Sequence, residues 1–460
     1  MPLQSEGDGA DAPEDASGGG SAGRAWDRTI ARLAIPAFAA LISEPLFLLA
    51  DAAIVGHLGT AQLAALGIAG AAVQTAIGVF VFLAYATTAT VARQLGAGDL
   101  QRALRGGIDG LWLATLLGVA VGALTVLATP VIVASFSPAP DVRNFAVIYL
   151  RIAACGIPAL LIMFAAIGVL RGLQDTRTPL VVAVAANILN IVLNVVFVYP
   201  FGWGIAGSAI GTLVAQTAGA FALLRVVVKA ARGYGASLAP RRTGLGVAWR
   251  LGVPLVIRTL TLRAALLLAT YVAASISTVA VAAHQVAFTI WGFLAFALDA
   301  IAIAGQAIIG RLLGAGDAAG AKAAARRMMS WGLVAGVGLG VSVVLTRPIV
   351  VPLFTPDLEV QHMLSSVLLI VAVHQPVAGL VFVLDGVLIG AGDGRYLAWA
   401  GVVNLVAFAP MAVAVWWLDG GLAWLWWAFS AFMVMRLATL MLRERSHLWL
   451  FVGATGRLAP

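Results

Sequence analysis

Cysteine and charged residues are scarce in this chain, and each scarcity excludes a class of protein. The single cysteine, Cys155, cannot form an internal disulfide and offers no thiol pair to a metal or redox site. Only 10% of the residues are charged and 62% are hydrophobic, whereas soluble domains carry about a quarter charged residues. The 460 residues leave room for about a dozen membrane spans of about 20 residues each.

The net charge of +8 fits a membrane protein better than a nucleic-acid-binding one, because cytoplasmic loops carry an excess of Lys and Arg. Residues 1–25 are rich in Gly, Asp and Ala and lack both the basic start and the apolar core of a signal peptide. We expect them to form a disordered cytoplasmic tail. Residues 446–460 are expected to form a second, C-terminal tail.

Apolar runs separated by polar residues predict twelve membrane-spanning helices. They begin near Ile30, Ile68, Leu104, Phe145, Pro179, Gly207, Val247, His284, Ala325, Met363, Tyr396 and Leu422. Basic residues concentrate in alternate loops and in the region after the last apolar run, where we place Arg436, Arg443, Arg445 and Arg457. This alternation predicts that both termini are cytoplasmic.

The two halves of the chain resemble each other. RQLGAGD at residues 93–99 recurs as RLLGAGD at 311–317, 218 residues later, and the same offset carries GVLRGLQDTR (168–177) onto GVLIGAGDGR (386–395). Duplicated halves with six spans each enter the membrane in the same direction, and parallel repeats place the substrate site between them. We therefore predict an N-lobe at 26–232, a cytoplasmic linker at 233–246 and a C-lobe at 247–445.

Two acids interrupt the first apolar run. Glu44 and Asp51 are seven residues apart, which places them on nearly the same face of a helix. An ionised acid at the centre of a span costs about 2.5–3.5 kcal/mol, so Asp51 is a candidate proton-coupling residue. Glu44 is either a second proton site or a counter-charge for Arg258 or Arg263. Pro45 lacks a backbone N–H and offers a kink between the two acids.

Other polar side chains occur within apolar runs. The segment NILNIVLN puts Asn187, Asn190 and Asn194 in one stripe, which indicates either a polar cavity or interhelical packing. In the second half, Asp299 and Asp385 either attract a cationic substrate or neutralise Arg258 and Arg263.

Several motifs together resemble the multidrug and toxic compound extrusion (MATE) transporters, and most closely their DinF-like branch. They are EPLFLLADAAIVGHLG, the two LGAGD loops, RGLQDTRTP, AAHQVAFTIWGFLAFALDAIAIAGQ and FVLDGVLIGAGD. The resemblance implies an all-α membrane protein with twelve helices in two parallel six-helix lobes arranged as a V. It also implies export of organic cations or other amphipathic compounds by alternating access, driven by protons or sodium.

The resemblance also assigns residues. Asp51 matches the acid that the family uses for ion coupling, and Asn190, Asn194 and Thr212 match polar residues that face it. We group Gln216 with them, because it lies in the same segment, AIGTLVAQT. Some relatives have an aspartate in place of Asn194 that contributes to a sodium site, so its absence favours protons here. Arg258 and Arg263 stand on the seventh helix, where other branches place acids.

We therefore predict a transporter rather than an enzyme, with no metal or cofactor and with H⁺ as the coupling ion. Sodium coupling on the same fold and a flippase of a lipid-linked precursor are the alternatives. The expected partners are the lipid bilayer and small amphipathic or cationic substrates, not nucleic acid. We expect a monomer in the cell (inner or plasma) membrane.

Overall fold

The computed structural model describes residues 21–454, which fold into fourteen α-helices. The predicted 1–25 tail therefore lies outside the described residues up to residue 20, and α1 begins within it at Ser21. Residues 455–460 of the C-terminal tail also lie outside the described part. The first half contains α1 Ser21–Gly56, α2 Thr60–Gly78, α3 Phe82–Gly96, α4 Leu100–Ala134, α5 Pro140–Ala154, α6 Ile157–Gly172, α7 Arg177–Val198 and α8 Gly204–Gly233. The second contains α9 Arg242–Ile276, α10 Thr278–Gly314, α11 Ala318–Phe354, α12 Leu358–Gly390, α13 Gly394–Trp417 and α14 Gly421–Arg445.

These helices supply the twelve predicted spans. Eleven are long and apolar enough to cross a membrane, with α2 and α3 joined through a short 3₁₀ turn at Val79–Val81. The twelfth is the pair α5 and α6, bent by 44° at the break before Ile157. Every span begins earlier than predicted, from Gly421 instead of Leu422 to Ser21 instead of Ile30. Polar caps extend the helices beyond their apolar runs, as where Asp99 and Asp317 accept backbone N–H bonds at the starts of α4 and α11.

The duplication read from the sequence is visible in the packing. In the first half α6 packs against α3, α4 and α8, and in the second α12 packs against α10, α11 and α14. The closest approaches are equivalent: a Cβ atom on Gly168 would lie 2.5 Å from the carbonyl oxygen of Ala84, and one on Gly386 would lie 2.4 Å from that of Ala302. The fold is therefore two copies of one six-span lobe.

The surface of the lobes is apolar, as a bilayer requires. Leu127 and Val131 on α4 are 79% and 73% exposed, and their equivalents on α11, Leu345 and Ile349, are 71% and 75% exposed. Large apolar side chains exposed in this way are unfavourable in water but are well solvated by lipid chains.

The lobes meet at the end of the molecule that carries the two GAGD turns, residues 96–99 and 314–317, which we name the GAGD face. Here one side of the first half of α1 is buried, with Ala37 packed against Ala300 and Ile303 of α10. Between Leu41 and Ala50, by contrast, no residue of α1 is buried. The lobes are thus closed at the GAGD face and apart towards the opposite one.

Candidate functional site

Asp51 is enclosed within the N-lobe. Asp51 is only 3% exposed, although none of the ten residues before it in α1 is buried. Its Oδ1 accepts hydrogen bonds from Asn194 Nδ2 at 2.8 Å and from Ser208 Oγ at 2.7 Å. Its Oδ2 accepts a longer one, 3.4 Å, from the hydroxyl of Tyr149. The carboxyl group is therefore held by donors from α5, α7 and α8.

A second layer extends this network. The same Asn194 Nδ2 donates to Asn190 Oδ1 at 2.9 Å, and Asn190 Nδ2 donates to Thr212 Oγ1 at 2.9 Å. We call these six residues the Asp51 cluster: Asp51, Tyr149, Asn190, Asn194, Ser208 and Thr212. All are buried, so the cluster forms a polar island among four helices.

The electrostatics of the cluster make the charge state of Asp51 sensitive to its surroundings. No Lys, Arg or His forms an ion pair with Asp51 within residues 21–454. Burial disfavours an ionised carboxyl group, whereas hydrogen bonds donated to it favour one. Because burial favours the neutral acid and the donated hydrogen bonds favour the carboxylate, the arrangement suits a group that binds and releases a small cation such as H⁺.

Two members of the cluster were not identified from the sequence. Ser208 lies one helical turn before Thr212, so the spacing could have identified it, but a lone Ser in a helix also commonly bonds its own backbone. Tyr149 carried no signal, since its helix is distant in sequence. Two residues that we had grouped with the cluster lie apart from it. Asn187 donates to the backbone oxygen of Ser43 at 3.0 Å, and Gln216 packs against Gly156.

Gly211 makes the position of Asn194 possible. A Cβ atom at Gly211 would lie 2.1 Å from Asn194 Oδ1, which accepts no hydrogen bond from the residues that the structure describes. We expect Gly211→Ala to push the Asn194 amide away from Asp51 and to reduce ion-coupled transport about tenfold or more, as the loss of one charge-assisted hydrogen bond predicts. Gly219→Ala on the same helix is the control, because its Cβ would meet only side-chain carbon and sulfur atoms, at 3.3 Å or more. Equal transport by the two variants would contradict this role for Gly211.

Glu44 does not join Asp51. It is exposed, and its nearest polar partner is Gln74, whose Nε2 donates to it at 3.4 Å. It forms no ion pair with Arg258 or Arg263 in the described part of the chain. Pro45 lies inside α1, which continues as one helix from Ser21 to Gly56.

The C-lobe acid Asp385 binds two arginines. Its Oδ2 lies 2.5 Å from Arg258 Nη2 and also accepts a hydrogen bond from Arg436. The placement of Arg436 in the C-terminal tail was therefore wrong, because it is buried in α14, nine residues before that helix ends at Arg445. A basic residue near the end of an apolar run can remain inside the span when the fold places an acidic residue opposite it, and the sequence alone does not show that partner.

Removing the carboxylate would leave two buried arginines without their shared partner. We expect Asp385→Asn to lower the free energy of unfolding of the C-lobe by about 3–5 kcal/mol, the usual cost of breaking a buried ion pair. Thermal unfolding of the purified protein in detergent would measure this. Asp419→Asn, which changes an exposed turn residue, is the control and should unfold like the unaltered protein.

The other charged side chains of the lobe boundary are less completely paired. Asp299 forms no ion pair within 4.0 Å among residues 21–454, but it interacts electrostatically with Arg258 and with Arg171 of the N-lobe. Arg263 also lacks an ion-pair partner there, and its guanidinium lies against Gly78, so that a Cβ atom on Gly78 would be 1.8 Å from Nη2. The boundary between the lobes is therefore lined by arginines.

At the GAGD face the two lobes cross at a pair of equivalent glycines. A Cβ atom on Gly96 would lie 1.9 Å from the carbonyl oxygen of Arg311, and one on Gly314 would lie 2.0 Å from that of Arg93. The two arginines reach into the opposite lobe: Arg93 Nη2 donates to Ala391 O at 2.7 Å, and Arg311 Nη1 donates to Gln174 Oε1 at 2.8 Å. We call this arrangement the glycine crossing.

Two ion pairs flank the glycine crossing. Arg327 of α11 binds Asp27 of α1 through Nε at 2.7 Å and Nη2 at 2.5 Å. Arg241, which precedes α9, binds Asp109 of α4 through Nη2 at 2.6 Å. Each pair joins the beginning of one lobe to the third span of the other, so two ion pairs hold the lobes together at the closed face.

Two parallel six-span lobes, closed together at one face and carrying polar groups within the membrane, define a two-lobe membrane transporter. The MatE family model matches residues 36–196 and 254–425, and the chain belongs to this family. The predicted MATE membership, twelve-helix fold and assignment as a transporter rather than an enzyme are thereby confirmed.

Curated relatives match over nearly the whole chain. Protein DETOXIFICATION 44, chloroplastic, from Arabidopsis thaliana is 32% identical over 89% of this chain and 80% of its own length. DNA damage-inducible protein F from Escherichia coli (strain K12) is 29% identical over 92% of both chains. The probable multidrug resistance protein NorM from Thermotoga maritima is 24% identical over 80% of both.

Solved structures share the fold. A MATE protein in the bent conformation superposes with a TM-score of 0.85, at 23% identity, over 92% of this chain and 96% of its own. A MOP superfamily transporter from Pyrococcus furiosus, described as having a binding pocket of reverse polarity, gives a TM-score of 0.84 at 22% identity over 92% of this chain and 96% of its own. At these identities the similarity establishes the V-shaped two-lobe architecture.

Proposed function

We propose that this protein is an antiporter that exports drug-like amphipathic or cationic compounds in exchange for protons, with protonation of Asp51 as the coupling step. One observation carries the proposal: a carboxyl group buried in a transmembrane lobe accepts hydrogen bonds from neutral donors and has no basic partner among residues 21–454. An acid placed in this way inside a membrane is a functional site by default, because its charge is expensive to keep there.

The orientation of the protein follows from its basic residues. We propose that the GAGD face is cytoplasmic and that both termini lie on that side, since the arginine-rich loops adjoin it. The structure then corresponds to a state closed to the cytoplasm and open outwards. Inward opening requires the glycine crossing and its two flanking ion pairs to separate.

Helix α1 connects the Asp51 cluster to the lobe interface. Asp51 lies near its end, whereas Ala37, about four turns earlier, packs against α10 of the opposite lobe. Protonation removes the charge to which Asn194, Ser208 and Tyr149 donate and so changes how α1 is held. Pro45 lies between the two points, where a missing hydrogen bond makes bending of the helix least costly. Relatives solved in a bent and in a straight conformation support a bistable element of this kind.

The energy supplied by one proton is sufficient for useful export. One elementary charge that crosses 100 mV releases about 2.3 kcal/mol. At about 1.4 kcal/mol per factor of ten, this supports a concentration ratio of roughly 50-fold for an uncharged substrate. Exchange of one proton for one monovalent cation moves no net charge and is driven by the pH gradient instead, at about tenfold per pH unit.

Protons fit the cluster better than sodium. A hard metal cation needs several oxygen ligands, preferably anionic ones. The Asp51 cluster contains a single carboxylate, and the amide nitrogen of Asn194, not its oxygen, faces that carboxylate. Sodium coupling therefore remains the alternative on the same fold.

A second candidate function is favoured by the arginines within the C-lobe. Arg258 and Arg436 share one carboxylate, and Arg263 has no ion-pair partner within residues 21–454. This excess of positive charge suits a substrate with an anionic group, such as a lipid-linked precursor that a flippase would move. The reverse-polarity pocket described for the Pyrococcus furiosus transporter is a precedent in the same fold.

Vesicles that contain the purified chain distinguish these functions. We expect a fluorescent organic cation to exchange with protons when a pH gradient is imposed in sodium-free buffer. Exchange that needs a sodium gradient at constant pH would replace H⁺ with Na⁺ as the coupling ion. Movement of an anionic amphiphile but of no cation would instead favour the flippase.

A further inference from the structure

The chain after the last span does not leave the molecule but folds back onto the GAGD face. After α14 ends at Arg445, Trp449 is completely buried, and its Nε1 donates to the backbone oxygen of Glu444 at 2.9 Å. Further on, the backbone N–H of Gly453 donates to Leu313 O, at the end of α10, at 2.8 Å. We name residues 446–454 the C-terminal clasp. It is anchored to the C-lobe at both of these points.

The clasp also binds the N-lobe. Arg93 Nη1 donates to Phe451 O at 2.6 Å and to Gly453 O at 3.2 Å, and Gln94 Nε2 donates to Ala454 O at 3.1 Å. Because Arg93 Nη2 also donates to Ala391 O, one buried N-lobe guanidinium is bound by one carbonyl of the C-lobe and two of the clasp. A guanidinium out of water needs such acceptors to remain there.

These contacts lie beside the glycine crossing. Arg93 is the residue whose carbonyl oxygen faces Gly314, and Leu313 precedes that glycine. The lobes therefore cannot part at this face while Arg93 keeps its hydrogen bonds to the clasp. Any opening here breaks three hydrogen bonds at once, two of them charge-assisted.

Within the described part of the first half, residues 21–233 and the linker after them, the clasp has no counterpart. Arg311, the equivalent of Arg93, donates to the side chain of Gln174 rather than to a clasp. The segment that follows α8 stays with its own lobe, where Gln101 donates to Gly235 O and Trp112 to Leu238 O, both at 2.9 Å. The asymmetry indicates a role that only one side of the protein requires.

We propose that the C-terminal clasp locks the GAGD face and must release Arg93 and Gln94 before that face opens. The inference rests on the proposed function, because it assumes that the two lobes alternate between states. The clasp thus sets the resting state of the transporter, and a partner that captures residues 446–454 would free the face to open.

Spin labels on the two lobes test this in the full chain. Arg177→Cys on α7 and Ala319→Cys on α11 place exposed labels on the two lobes near the GAGD face, in a Cys155→Ser background. The distance distribution between the labels reports the fraction of open molecules. A chain that ends at Ser446 lacks the clasp, whereas one that ends at Ala454 keeps every clasp contact described above and is the matched control.

Gly453→Pro is a second variant that keeps the chain length. The residue has φ = 96° and donates its N–H to Leu313, and proline permits neither. We expect both clasp variants to raise the ratio of open to closed molecules about tenfold, and the Ala454 control to match the full chain. If the truncated chain does not insert into the membrane, the Gly453→Pro variant alone tests whether the clasp holds the GAGD face closed.

Unchanged distance distributions in Gly453→Pro would overturn the clasp as a lock. Proton-driven exchange measured on the same samples separates this failure from that of the proposed function. If the distance distributions shift but a pH gradient drives no exchange, the clasp is supported as a lock and the proposed proton coupling is refuted. If exchange is normal and the distributions do not move, only the clasp falls.

Discussion

Asp51→Asn is expected to abolish proton-driven export while leaving the protein folded and inserted. The amide keeps an oxygen for the donors of Asn194 and Ser208 but cannot gain or lose a proton at any physiological pH. With a pH difference of about two units across the vesicle membrane, the steady-state concentration ratio should fall from about 100-fold to about 1, because each pH unit supplies about 1.4 kcal/mol to the exchange of one proton for one cation. Fluorescence of an accumulated organic cation measures this ratio directly.

The matched control is Glu44→Gln, which makes the same chemical change on the same helix, two turns away. Glu44 is exposed and has only a long contact with Gln74, so this variant should transport normally. Tyr149→Phe removes the weakest of the three donors to Asp51 and should reduce export less than Asp51→Asn does. Full concentrative uptake by Asp51→Asn, with correct insertion, would refute the assignment of Asp51.

The second large effect is expected at the glycine crossing. Gly96→Leu would place a side chain where the carbonyl oxygen of Arg311 lies, 1.9 Å from the new Cβ atom. Overpacking costs about 1–3 kcal/mol even where neighbouring side chains can move, and here the neighbour is backbone. The ratio of closed to open molecules should therefore fall by at least about 5- to 150-fold, and transport should fall with it because fewer molecules close at this face.

Labels at residues 177 and 319 measure that fraction, and Gly338→Leu is the control. Gly338 lies exposed in α11 and has no atom within 4 Å of its Cβ position, so a side chain there should leave the distance distribution unchanged. A Gly96→Leu protein that closed as fully as the control would show that the lobes do not need this contact. Gly314→Leu should repeat the result from the other lobe.

The number of spans and their division into two lobes could be predicted because both are visible as patterns along the sequence. Each apolar run marks a span, and the repeat at an offset of 218 residues identifies the two lobes. Helix ends were less predictable, since caps such as Asp99 and Asp317 lie outside the apolar runs that hydropathy detects. The break between α5 and α6 was missed because Gly156 interrupts a run that reads as continuous.

The candidate site was only partly predictable, because it is assembled from distant segments. Spacing within one helix placed Asn190 and Asn194 on one face, and the resemblance to MATE transporters brought Thr212 and Asp51 to them. Nothing in the sequence links Tyr149 on α5 to Asp51 on α1. The pairing of Asp385 with Arg436 likewise depends on how α12 packs against α14, which no linear pattern encodes.

The two ion pairs that flank the closed face carry a consequence for the pairing of the two halves. Asp109 in one half and Arg327 in the other occupy equivalent positions, yet their charges are opposite. Two copies of the N-lobe would place Asp27 opposite Asp109, and two copies of the C-lobe would place Arg241 opposite Arg327. Like charges would then meet at both sites, so at these two contacts each half is complementary to the other half and not to a second copy of itself.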